Sequence, residues 1–439
     1  MWLGYLDGRV LYCYYFSVIY QMQNETFYIW HKVPFYCVRY DEVLNHTKNN
    51  IIYIGTQAAL EDIPTELNCE KWIWQEQDGI QTLIAKMSVK TPVPHHFIAL
   101  SEYQIDTAAR IRAHFGIPGP TIAEAELSRN KLMMKAAVAS SGLATPTCYT
   151  LDDVLHNPTL LDEIGSAQVV LKPLDGASSE NVQIYVSHHA LRVALNNKTT
   201  HIDDIDSQKN TARYQVEEFI EGDIWHVDGY VRAGEIAQCV SSRYIGNCLN
   251  FAKGQPLGSL QCELPATLLV FARQVVAALN IHNGSFHLEV FQNASGWVFL
   301  EIGHRAGGAS VVRAFELHTG VNLHQVHLNA QLGWALDFAT KASAKEHYYG
   351  WFVFPGHHLP EGYACIGGAD EFHASPWIHE WHQLPPYKKM SPALTYLEKL
   401  APVAGMLRTA SFRECHQFVL DMFENMSITS IAEEERSGS

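Results

Sequence analysis

No apolar run in these 439 residues reaches the roughly 20 residues that a membrane-spanning helix needs. Basic residues are scarce too. The 31 Lys and Arg stand against 46 Asp and Glu, for a formal net charge of -15. Nucleic-acid binding needs clustered cations, so the charge balance argues against that class; an anionic small ligand is still served if a few basic residues converge. The nine cysteines are odd in number, scattered and never spaced CxxC. This argues against a disulfide scaffold and for reduced thiols in a cytoplasm. Among the 23 histidines, His95-His96, His188-His189, His357-His358 and His379-x-x-His382 invite a metal reading. None has HExxH or Cys/His zinc spacing, so surface or packing roles fit better than a zinc hydrolase. The first 127 residues lack GxGxxG, which makes a dinucleotide site there unexpected, and no internal repeat is present.

What is present is ordinary for a globular chain, at 47% apolar and 18% charged, with length enough for roughly two to four domains. The apolar stretch 10–20 is short and lacks a cleavage-site pattern, so it reads as a strand rather than a signal peptide. Residues 1–127 alternate strand-like runs (10–20, 50–54, 96–100) with helical segments and end in a helix near 103–114, a small α/β domain. "GIPGP" at 116–120 punctuates a boundary. A helix opens at Ser128-Arg129-Asn130-Lys131 and runs to about Ser140, with Leu132, Met133, Ala136 and Ala137 in its body. Strands are expected at 168–172, 182–186, 214–219, 224–232 and 235–242, and helices at 188–196 and 265–279. A helix-rich segment, 321–336, closes this middle domain. The remainder holds a strand at 349–354, a helix at 411–426 and a solvated tail.

The stretch "GSFHLEVFQNASGWVFLEIGHRAGG", 284–308, reads as a hairpin. Alternation puts Phe286, Leu288 and Val290 on one face and His287, Glu289 and Phe291 on the other. In the second run Val298, Leu300 and Ile302 share a face opposite Phe299, Glu301 and Gly303. A three-residue turn with Gly296 as its bulge pairs Asn293 with Trp297. That register sets Glu289 directly across from Glu301 and His287 across from Gly303. Directly opposed like charges are destabilising, so a cation is expected between them; a solvated polar face is the ordinary alternative.

Three features precede the hairpin. Lys131 sits in the first turn of a helix. Lys172 ends a buried strand and is followed by the small-residue loop of "VVLKPLDGASSENV", a physical recipe for holding phosphates, although GxxxxGK[ST] is absent. "YQVEEFIEGDIWHVDGYV" turns at Gly222 between two strands. Each has an ordinary reading alone. In this order, with H-x-E and then E-x-G-x-R before a glycine pair, they resemble the ATP-grasp superfamily of carboxylate–amine ligases, closest in flavour to the L-amino-acid ligases (dipeptide synthetases). The resemblance covers about residues 102–331.

It implies an ATP-grasp fold of α/β (α+β) class: an N-terminal small α/β domain (1–127), an ATP-grasp domain (128–335) with a mobile lid at about 141–216, and a C-terminal α+β domain (336–439). It also implies roles. Lys131 and Lys172 would contact the ATP phosphates, and Gly176, Ala177, Ser178 and Ser179 would form the loop over them. Glu217 would lie near the adenine amino group. Within the hinge Glu218-Phe219-Ile220, the backbone of Glu218 and Ile220 would bond the adenine edge. Asp223, or as second choice His226, would hold the ribose. Glu289 and Glu301 would carry one or two Mg²⁺, or Mn²⁺. Arg305 would face the acyl phosphate or incoming carboxylate, with His287 on the same face. Two departures stand out: Gly303 where the family often has a metal-binding Asn, and Ser178 and Asn181 at common glycine positions. The implied activity activates a carboxylate, an amino acid, as an acyl phosphate and joins it to an amine. Alternatives are a carboxylase or purine-pathway ligase and a non-catalytic nucleotide-binding protein. Small-molecule substrates are the implied partners, with no nucleic acid and no membrane; dimers are common in the superfamily.

Overall fold

The computed structural model describes residues 24–90, 94–338 and 347–433. The strand expected at 10–20 lies outside the described residues, as does most of the tail. The chain divides into two compact units, one within 24–125 and 328–335, the other within 126–327 and 336–433. No helix among the described residues is long and apolar enough to cross a membrane.

In the first unit, β1 (Thr26–Trp30), β2 (Asn50–Gly55), β3 (Glu70–Ile73) and β4 (His96–Ala99) form a parallel sheet in the order β3-β2-β1-β4. All of β1 is buried, as expected of a strand covered on both faces. Alternation sends Phe27 and Ile29 to one core with Ile51, Tyr53, Leu328 and Leu332. Tyr28 and Trp30 face the other core, with Met87 of α1 (Gly79–Ser88) and Ile111 of α2 (Ile105–Phe115). Gly116, at φ 66°, ends α2 in the left-handed conformation that glycine adopts without strain.

The second unit opens with α3 (Lys131–Ser140), whose cap Asn130 accepts from the N–H groups of Leu132 and Met133. Its buried stripe is Lys131, Met134, Lys135 and Val138, a spacing of three, four and seven; Leu132, Met133, Ala136 and Ala137 lie off it. Two lysines therefore occupy a buried helical face. A four-stranded antiparallel sheet follows: β5 (Cys148–Thr150), β6 (Val169–Pro173), β7 (Gln183–Tyr185) and β8 (Tyr214–Glu218), in the order β5-β8-β6-β7. One face packs Val169, Leu171, Tyr214 and Val216 with Leu191 of α4 (His188–Asn197) into a core of its own. The opposite face carries Val170, Lys172, Gln215 and Glu217, because side chains alternate along each strand.

Eight further strands complete the unit's framework: β9 (Asp223–Arg232), β10 (Glu235–Ile245), β11 (Leu257–Cys262), β12 (Gly284–Asn293), β13 (Gly296–Gly303), β14 (Tyr348–Phe354), β16 (Ile378–Gln383) and β17 (Val403–Thr409). They form one antiparallel sheet in the order β13-β12-β9-β10-β11-β14-β17-β16. A separate pair joins β15 (Tyr363–Gly367) to β18 (Ser427–Ile431). Segment 336–439 thus contributes β14, β16 and β17 to the sheet that holds the glutamate hairpin. Met134 and Val138 of α3 and Leu268, Ala272 and Val275 of α5 (Ala266–Ala278) pack on Phe286, Leu288, Val290, Phe299 and Ile302. At the other end, Val419 and Met422 of α7 (Phe412–Asn425) pack on Leu260, Phe352 and Leu407. Between them in sequence lies α6 (Val311–Thr319), a helix beyond those expected from the sequence pattern.

The hairpin register differs from the sequence expectation in one instructive way. Asn293 pairs with Gly296, not Trp297, so the turn is the two residues Ala294-Ser295. The extra residue sits further along, where the register shifts between Glu289 and Val290, opposite Leu300. Beyond it Glu289 does face Glu301, and His287 faces Gly303. The bulge also breaks the expected face assignment. Phe299 is fully buried in the core, while Leu300 joins Glu301 on a cavity wall.

Candidate active site

A cavity of about 530 Å³ opens between the four-stranded sheet and the hairpin end of the eight-stranded one. Its wall brings together Lys131, Lys172, Gly176, Ala177, Ser178, Ser179, Glu217, Glu218, Phe219, Ile220, Asp223, Glu289 and Glu301. These are the residues singled out for nucleotide and metal contacts. Tyr244, Asn247 and Cys248 line it as well, and so does Leu300, whose alternation had placed it on the core face. His226, His287 and Arg305 are not on this wall.

Cations and carboxylates meet here in pairs. The Lys131 ammonium donates to the Gly176 carbonyl at 2.6 Å and sits 3.1 Å from Glu301, tying the loop to β13. Lys172 lies 2.5 Å from one oxygen of Glu217, and Lys135 lies 3.1 Å from the other. Burial alone would raise the Glu301 carboxyl, but Lys131 and Lys172 outweigh it and hold it down at about 2. The cation expected between the opposed glutamates is thus Lys131, and it sits against Glu301. Glu289 is answered differently, by the Tyr244 hydroxyl donating at 2.6 Å and the His287 Nε2 at 3.3 Å.

The loop after β6 is unusual backbone. Ser178, Ser179 and Asn181 have φ of 56°, 57° and 55°, a region that disfavours residues with a Cβ. The glycine positions that the sequence lacks are therefore left-handed all the same. Gly176 keeps its place for another reason, since a Cβ there would press on the Pro173 ring at 3.1 Å.

Beside the cavity lies a buried polar cluster. His226 Nδ1 is 2.5 Å from one Asp228 oxygen, and its Nε2 is 2.6 Å from Ser259 Oγ. His287 Nδ1 is 2.7 Å from the other Asp228 oxygen. His226 is only 1% exposed and turned into this cluster, so the second-choice ribose role does not fit it. Asp223, on the cavity wall, pairs with Arg243 at 2.5 Å. The donor atoms of His226, Asp228 and His287 lie within 4.8 Å of one another, close enough for a cation. The two imidazoles are hydrogen-bonded to Asp228, one on each of its oxygens, and their other ring nitrogens reach Ser259 and Glu289. Burial opposes charge on the His287 ring, yet Asp228 and Glu289 push it up to about 10, favouring the imidazolium.

Arg305 follows directly. Its Nη1 donates to the Ala306 carbonyl at 2.7 Å, and its stem folds over Gly303, where a Cβ would be 3.3 Å from Arg305 Cγ. The guanidinium stem therefore covers the place of a side chain at 303.

A model of the ATP-grasp domain matches residues 166–313. The L-arginine-specific L-amino acid ligase of Bacillus subtilis is 28% identical over 246 residues, a match covering 53% of this chain and 57% of that protein's length. Among solved structures, an L-amino acid ligase from Bacillus licheniformis aligns over 93% of this chain and 99% of its own, with TM-score 0.67 and 18% identity. Phosphoribosylglycinamide synthetase from Anaerococcus prevotii aligns over 93% and 100%, with TM-score 0.63 and 12% identity. N5-carboxyaminoimidazole synthetase from Staphylococcus aureus, complexed with ADP, aligns over 91% and 97%, with TM-score 0.63 and 12% identity.

Proposed function

From an ATP-grasp domain as the premise, we propose that this chain is an ADP-forming ligase that joins a small carboxylate, an amino acid, to an amine. The observation that carries the reading is the single cavity in which two lysines, a small-residue loop and two opposed glutamates face one another. Lys131 and Lys172 bind the phosphates of ATP, and the loop 176–179 closes over them. The backbone of Glu218 and Ile220 recognises the adenine edge, with Glu217 near its amino group.

Glu289 and Glu301 fit a divalent cation of the magnesium type, because they offer carboxylate oxygens only and stand level across the hairpin. When bound, that ion supplies charge neutralisation for the transferred phosphoryl group. A substrate carboxylate oxygen attacks the γ-phosphorus, the bond to the β-phosphate oxygen breaks, and ADP leaves. The amine nitrogen then attacks the acyl carbon, phosphate departs, and the amine gives up a proton. Arg305 holds the carboxylate and steadies charge at the tetrahedral centre. His287, hydrogen-bonded to Asp228, is held against Glu289 and fixes that side chain's orientation. Closure of the four-stranded subdomain keeps water from the acyl phosphate.

The test is an ADP-release screen with Mg-ATP and amino acids, singly and in pairs. ADP formation that requires a particular acid and amine supports the reading. Tight ATP binding without ADP for any pair, or ATP-independent turnover with stoichiometric zinc, overturns it.

A further inference from the structure

Lys135 is a charged residue without a role in the chemistry above. It is 1% exposed, it is not on the cavity wall, and it lies one helical turn beyond Lys131 on the same face of α3. Its ammonium is 3.1 Å from Glu217 Oε2, which also accepts from Gln215 Nε2 at 3.0 Å. The other oxygen of Glu217 holds Lys172 at 2.5 Å. With Lys131 beside Glu301, three buried ammoniums thus meet two carboxylates, an arrangement with one positive charge in excess. An isolated buried pair would need no third charge, and burying an extra ammonium is costly. The excess points to an anion that joins the set.

We propose that Lys135 is the standing counter-charge of Glu217, so that Lys172 can leave Glu217 for a nucleotide phosphate without stranding a buried carboxylate. The proposal rests on the cavity being a nucleotide site. Lys172 faces the cavity and Lys135 does not, so only Lys172 can exchange partners. Burial pulls Lys135 below its ordinary range against the opposing charge of Glu217. Burial acts on Lys172 in the same direction, but Glu217 and Glu301 raise it above its ordinary value. Lys135 is therefore a positioning residue that acts through Glu217.

The experiment is calorimetric titration of the full chain with a non-hydrolysable ATP analogue and Mg²⁺, for wild type, Lys135→Met, Glu217→Gln and the double variant. Lys135→Met is expected to weaken binding about tenfold or more, the size of coupling typical of one charge network. In the Glu217→Gln background the same change should shift affinity by less than about twofold, since no carboxylate is left to strand. In turnover assays KM for ATP rises while kcat holds. Wild-type affinity in Lys135→Met, or equal weakening in both backgrounds, overturns the proposal; the second result marks a purely structural lysine. If Lys135→Met does not fold, Lys135→Gln is read by the same criteria. Failure of the wild-type chain itself to bind the analogue overturns the nucleotide reading instead.

Discussion

A methyl group on Gly307 would lie 2.7 Å from Val311 Cγ1, 2.8 Å from Asp228 Oδ1 and 3.0 Å from His287 Nδ1. The first glycine of the pair that closes the hairpin motif therefore makes room for the Asp228–His287 contact, two residues beyond Arg305. Gly307→Ala is expected to cost about 1–3 kcal/mol of stability through overpacking, and to lower kcat by shifting Arg305. A thermal melt and an ADP-release assay check both; an unchanged melting temperature would refute the contact. Gly303→Asn introduces the side chain that the family resemblance leads one to expect, but here it must displace the Arg305 stem. Turnover should fall rather than rise, and a gain in activity would show that Arg305 has room to move. Glu301→Ala should abolish ADP formation while the melting temperature stays within a few degrees, because the carboxylate lies on a cavity wall rather than in the apolar core. Near-normal turnover would remove Glu301 from the metal role.

At the scale of elements, the Leu300 bulge decides what the hairpin presents. Deleting Leu300 removes the extra residue and leaves Val290 opposite Phe299 and Glu289 opposite Glu301 in plain alternation, so Glu301 keeps its place on the cavity wall. The deletion takes one apolar side chain from that wall and straightens the strand beneath the two glutamates. It should weaken nucleotide binding while the glutamate pairing and the fold persist, both measurable in one calorimetric and spectroscopic series; unchanged affinity would show that the bulge does not shape the site. Most strands and helices of this chain were legible from period and punctuation: the sheet residues 50–55 and 169–173, the helix 188–197 and the hairpin all follow alternation or capping rules. The opposed glutamates were legible for the wrong reason, since a turn and a mid-strand bulge give the same pairing beyond Glu289. Only core packing distinguishes them, by burying Phe299 fully. Lys135 is hidden in the sequence because a lysine in an apolar helix reads as surface, although its spacing of four from Lys131 marks a shared face. The left-handed serines 178 and 179 carried no signal, as serine has no preference for that region.

At the scale of the whole molecule, strands from both sides of residue 335 share one ladder. β11 pairs with β14 from Leu257↔Val353 to Leu260↔Gly350, and β14 continues into β17. A chain ending at 335 would leave β11 as an open edge and bare Ile245, Leu257 and Leu260, which pack against the lost strands. Such a chain is expected in the insoluble fraction, and a soluble, cooperatively melting product would refute the dependence. The continuous sheet also bears on descent. A segment that carried its own core could be traded between lineages by recombination near residue 335, bringing a new selectivity with it. Here the trade would cut seven hydrogen-bonded strand neighbours down to an unfinished ladder. Novelty in the far half of this sheet must therefore accumulate by point substitution and loop growth, with the glutamate hairpin and the closing strands inherited as one piece.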